Sequence, residues 1–220
     1  MKNASSLATE ALSYLALGAL LPFGRRHVRP RPGVQPAVVF IHGYGHNASA
    51  FLPMQAYLRR AGFRRFAAFN YATRPVMSVA ADLAAFLERE VPGRVHLIGH
   101  SLGGLVARAY VQKLGGQARV RSVVTLATPH GGSRLSRWAG VLRDDLRSGG
   151  ALLTELDALP HFEATVRWAS IGGGADLLVE DEAHTRHPLG EHFHFPDLAH
   201  VSLLLSPRVF RAVERVLARP

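Results

Sequence analysis

The chain contains no cysteine among its 220 residues. Disulfides, thiolate metal sites and cysteine nucleophiles are therefore excluded. A reducing compartment suits such a composition, although exported proteins also do without disulfides. Acidic residues are scarce beside basic ones: 16 Asp and Glu stand against 26 Lys and Arg, for a formal charge of +10. The excess is almost all arginine, and only "RRHVRPRP", 25–32, gathers it into a tract. Such a balance favours anionic partners in general. No recognition helix, aromatic-interleaved basic strand or zinc-ligand spacing accompanies it, so a solvated arginine surface is expected and nucleic-acid binding is not. No linker, low-complexity tract or internal repeat divides the chain, and its length suits one well-formed core better than two.

Long apolar runs are nearly missing as well. "LATEALSYLALGALLPF", 7–23, has the apolarity of a signal-peptide core, but Glu10 interrupts it, only Lys2 charges its front, and the arginines follow it. Its least broken part, Ala11 to Leu21, falls short of the roughly 20 residues of a membrane span. Residues 1–32 are read as an apolar helix and basic linker. Three fates fit them: removal as a signal, packing on a domain formed by 33–220, or lying on a membrane with Arg25, Arg26 and Arg29 at the headgroups. A cytoplasmic or membrane-associated location is favoured, with secretion left open.

What is present alternates strand-like and helix-like segments. "PAVVFIHG", 36–43, is a short β-branched run that stops at a turn. The spacing of apolar residues predicts helices over 51–62, 76–93, 102–114 and 206–218, and further strands over 63–71, 95–98, 120–129, 166–173 and 193–195. Such alternation implies parallel pairing through right-handed crossovers, hence a mostly parallel sheet of about six strands flanked by helices. In such sheets chemistry gathers at the carboxyl ends of the strands.

One of those ends carries "GHSLG", 99–103, a Gly-x-Ser-x-Gly sequence with a strand before it and a helix after it. This is the pattern of a nucleophile elbow: Gly99 and Gly103 leave room for a turn around His100 that holds Ser101 in strained backbone with its hydroxyl exposed. A serine hydroxyl needs a base, and the base needs an acid to orient it. The expected order is Ser, then acid, then His. Asp144, Asp145, Asp157, Asp176, Asp181 and Asp197 follow the serine. Asp176 is preferred because it directly follows a predicted strand, with Asp181 second; Asp144, Asp145 and Asp157 are read as solvated. Among His184, His187, His192, His194 and His200, the last is preferred as base, since it lies between the last short strand and the closing helix. Oxyanion donors are expected at the backbone N–H of Leu102 and, from "HGYGHN", of Tyr44.

These stretches, with "VVTLATPHGGSRL", "IGGGADLLV" and "AHVSLLLSPRVF", resemble the α/β-hydrolase superfamily, and within it bacterial triacylglycerol lipases and esterases, over residues 38–209. The resemblance implies a Ser101–Asp176–His200 triad, donors at Tyr44 and Leu102, a small-molecule or lipid ester as substrate, and no cofactor. It also implies a cap at about 134–164, read as one or two short amphipathic helices with Trp138, Leu142, Leu152 and Leu153 able to face a lipid-like substrate, or else as a plain surface helix pair. Tyr44 is bulkier than the usual residue after His-Gly. Peripheral membrane association fits the N-terminal segment, and oligomeric state is not legible. Acyl transfer or thioester cleavage by the same triad is the second reading; amide hydrolysis and non-catalytic binding on the same scaffold are weaker ones. "EDEAHTRHPLGEHFH", 180–194, gathers four histidines and four carboxylates that suit zinc or calcium, but its spacing matches no metal motif, so a solvated polar loop is expected and a structural divalent metal is the weaker reading.

Overall fold

The structure, a computed structural model, describes residues 4–24, 27–179 and 181–219. Lys2, Arg25, Arg26 and Glu180, which entered the sequence reading, lie outside the described residues. Six strands, β1 (Ala37–Ile41), β2 (Phe66–Phe69), β3 (Val95–His100), β4 (Val120–Leu126), β5 (Arg167–Gly173) and β6 (Glu191–Phe195), form one sheet in the order β2-β1-β3-β4-β5-β6. All five pairings are parallel. The inner strands are apolar runs because helices cover both faces. Along β1, Ala37, Val39 and Ile41 enter one core, while Val38 and Phe40 enter the other. This is the two-residue period of a strand buried on both sides.

One face is covered by α3 (Val76–Glu90) and α4 (Leu102–Lys113), through Val79, Leu83, Leu87, Leu105 and Val111. The other is covered by α1 (Ala4–Leu20), α2 (Leu52–Arg60) and α8 (Pro207–Leu217). The helix expected over 51–62 stops at Arg60, and the strand expected over 63–71 shrinks to four residues, because Gly62 takes a left-handed turn, φ +100°. The strand expected at 95–98 instead runs on to His100, and the last strand starts two residues earlier than expected.

The helix at the N-terminus exceeds its uninterrupted apolar part. Ser5–Gly24 is long and apolar enough to cross a membrane by length and composition. Here α1 lies on the domain, with Leu17 fully buried among the residues of the second core. Val28, in the basic linker, pairs antiparallel with Ala68 and covers the edge of β2. The arginines are not uniformly solvated. Arg65 is buried and donates to the carbonyls of Arg31, Gln35 and Pro92, and Arg108 is wholly buried against Gln112 and Asp157. A buried guanidinium is tolerated when its N–H groups find such acceptors.

The cap region is two short 3-10 turns, Arg134–Trp138 and Gly140–Leu142, followed by α5 (Arg143–Leu146) and α6 (Ala151–Ala158). Leu152 and Leu153 do not face a substrate space. They are buried in the core beside α4, because α6 packs its apolar side inward. The remaining helix, α7 (Glu182–Thr185), lies between β5 and β6.

Candidate active site

The sheet order reverses between its central strands. From β1 the chain goes outward to β2, and from β3 it goes the opposite way to β4, so a crevice opens between the carboxyl ends of β1 and β3. His42–Gly43–Tyr44 follows β1, and Ser101 follows β3. Ser101 has φ 52° and ψ −120°, outside the regions open to most L-residues. The strain is enforced by close backbone approach. A Cβ on Gly103 would stand 2.1 Å from the Ile41 carbonyl oxygen, and one on Gly99 would stand 2.6 Å from the Gly103 carbonyl. Leu102 is the first residue of α4, whose opening N–H groups have no partner inside the helix.

Asp176 is buried in the turn after β5. Its Oδ1 accepts the backbone N–H groups of Leu178 (2.8 Å) and Val179 (2.9 Å), which fixes the carboxylate. Its Oδ2 accepts from His200 Nδ1 at 2.7 Å. With Nδ1–H so engaged, the lone pair of His200 is on Nε2. Ser101 and His200 line one cavity of about 260 Å³, to which Tyr44 and Leu102 also contribute. Among the described residues no hydrogen bond joins the Ser101 hydroxyl to the ring, a looseness common before substrate is bound. Leu135, Trp138, Leu142 and Leu178 give the cavity an apolar wall. Tyr44 stands at its rim, 64% exposed, so its side chain does not narrow the interior.

The other acids and histidines have different partners. Asp181 caps α7 through the Ala183 N–H, and Asp197 pairs with Arg208. Asp157 is exposed, as expected, and neutralises Arg108, whereas Asp145 is part-buried and accepts the first N–H of α3, from Val76 at 2.7 Å. His187 is stacked on Trp168, with centroids 4.2 Å apart. His184 lies against Gly131, while His192 and His194 stand beside Glu182.

Two buried imidazoles support the site from below. The His42 Nε2 accepts the Tyr71 N–H, so its Nδ1–H donates to the Gly43 carbonyl at 2.8 Å and shapes the loop carrying Tyr44. Burial pushes His42 down to about 4, so it stays neutral. His100 Nε2–H donates to the His200 carbonyl at 3.1 Å, and burial holds this ring well below the ordinary histidine value.

Three contributors were not anticipated from the sequence. Glu10, from α1, accepts the N–H groups of Val201 (2.7 Å) and Ser202 (2.9 Å), immediately after His200. Tyr14, one turn on, lines the cavity; burial, then the Glu10 and Asp176 carboxylates, push its phenol up to about 12. His46 also lines the cavity and is held below its ordinary value by burial and by His200. A carboxylate interrupting an apolar helix was the one available signal, since such a residue requires a partner.

Residues 36–156 match the family model described as the alpha/beta hydrolase fold. The chain belongs to the α/β-hydrolase family. Among solved structures, this hydrolase is similar to the mature form of a Bacillus licheniformis lipase. The TM-score is 0.68 at 18% identity, covering 87% of this chain and 98% of that one. A putative non-heme bromoperoxidase of Mycobacterium tuberculosis gives 0.65 at 18% identity, over 88% and 95% of the two chains. A monoacylglycerol lipase of Paleococcus ferrophilus gives 0.64 at 16%, over 87% and 97%. At such identities the likeness is one of fold.

Proposed function

We propose that this α/β-hydrolase is a serine carboxylic-ester hydrolase working through an acyl-enzyme on Ser101. The observation that carries the reading is the buried 2.7 Å contact of Asp176 with His200 Nδ1, made over the cavity that holds the strained Ser101. In this mechanism His200 Nε2 takes the Ser101 proton as Oγ attacks the ester carbonyl. The N–H groups of Leu102 and Tyr44 bind the oxyanion, and the N-terminus of α4 favours the same negative charge. His200 then protonates the leaving alcohol. Water, activated by the same ring, releases the acid and restores the hydroxyl. Asp176 holds the ring in one tautomer and stabilises its charged form. No step calls for a cofactor.

The apolar wall and the modest volume support short to medium acyl chains as substrates. The p-nitrophenyl esters from acetate to palmitate test both parts of the reading. Hydrolysis is expected to peak at short or medium chains and to fall by about 10³-fold or more in Ser101→Ala. A wild type inert toward every ester overturns the ester-hydrolase reading.

A further inference from the structure

Away from the Ser101 cavity, three side chains converge whose partners the catalytic reading does not supply. His192 and His194 alternate along β6, the edge strand, so both imidazoles stand on one face. Glu182, on α7, reaches over that face. His192 Nε2 lies 3.5 Å from Glu182 Oε1, and His194 Nδ1 lies 3.3 Å from Oε2. One donor atom from each residue falls within 4.8 Å of the other two. Both ring nitrogens are buried and face only the Glu182 carboxylate, without a well-formed hydrogen bond, and the His192 side chain is only 7% exposed.

We propose that Glu182, His192 and His194 form a binding site for one divalent transition metal of the zinc type. A tetrahedral ion with bonds of about 2.0–2.2 Å separates neighbouring donors by about 3.3–3.6 Å; each imidazole nitrogen stands at such a distance from its own oxygen of the Glu182 carboxylate, and the three donors gather within 4.8 Å. Two imidazoles and one carboxylate suit zinc and its neighbours, and do not suit calcium or magnesium, which require more oxygen ligands. The second nitrogen of His192 is already oriented: its Nδ1 meets Ser170 Oγ at 2.9 Å, the arrangement that frees Nε2 for a metal. Arg186 opposes a cation here, and the Glu182 carboxylate offsets it.

The ion would fasten α7, which follows the Asp176 turn, to β6, which leads through 196–199 to His200. Its role is structural, and it stands independently of the reaction at Ser101.

Equilibrium dialysis of the full, tag-free chain against zinc, read by metal analysis, is expected to give one ion per chain. Melting temperature should rise by about 5–10 °C at zinc near 100 times Kd, and EDTA should reverse the rise. E182Q and H194A should each bind zinc at least about 10-fold more weakly. Their zinc-free melting guards against simple misfolding. H184A, outside the trio, should bind as wild type does. A wild type that takes up no zinc, E182Q and H194A proteins of wild-type affinity, or loss of binding in H184A would each overturn the proposal.

Discussion

At Ser101 the backbone stores strain that two neighbouring glycines make unavoidable. Gly103→Ala places a methyl 2.1 Å from a main-chain carbonyl, which cannot move aside as a flexible side chain would. A loss of about 3 kcal/mol or more is expected in chemical denaturation. In the proposed reaction Tyr44 acts through its main-chain N–H, and its ring is exposed. Tyr44→Ala should therefore leave kcat nearly unchanged, as steady-state kinetics would reveal. Glu10 differs, because both its oxygens hold amides next to His200. Glu10→Gln weakens two charge-assisted bonds and should lower kcat by about 10-fold with little change in KM. The elbow was legible because its glycines, serine, strand and helix all fall within 95–114. The Glu10 contact was not, because it joins residues 191 and 192 positions apart, and no local pattern encodes such a pairing.

Among the elements, α1 changes most between sequence and structure. Its composition reads as signal, anchor or surface helix alike, and in this structure it lies on the domain. Leu17 is fully buried against the domain, so Leu17→Ala should cost about 2–5 kcal/mol in chemical denaturation. An α1 that contributes nothing to the fold would show no such loss. The strands and the helices α3, α4 and α8 were legible because their apolar residues follow clear periods. The cap was legible only as helical. That α6 turns Leu152 and Leu153 into the core, leaving Trp138 to the cavity, depends on where the helix lands against α4. The Asp145 and Asp157 partners, Val76 and Arg108, were hidden for the same reason: they come from distant segments.

Across the whole molecule, buried neutral histidines set the response to acid. Burial pushes His42 and His96 down to about 4 and His187 to about 3, from an ordinary 6.5. The unfolded chain takes up these protons first as pH falls, so stability is complete above about pH 6.5 and declines below it, levelling only beneath the folded-state values. Each group steepens the decline by about 1.4 kcal/mol per pH unit in that window. Thermal melts from about pH 8 to about pH 4 should show a steep fall in Tm below pH 6.5. A flat profile would mean these rings are not buried neutral. At this scale the parallel sheet follows from strand and helix alternation alone, whereas the buried imidazoles do not, since composition counts histidines without placing them.

The proposed reaction passes through a covalent acyl-enzyme on Ser101. Its most direct measurement is reaction of the full chain with a p-nitrophenyl alkylphosphonate, followed by peptide mass spectrometry. One p-nitrophenol released per chain, one phosphonyl adduct on the peptide carrying Ser101, and no adduct in Ser101→Ala are expected. An adduct on another residue, or none at all in a chain that still hydrolyses esters, would contradict it.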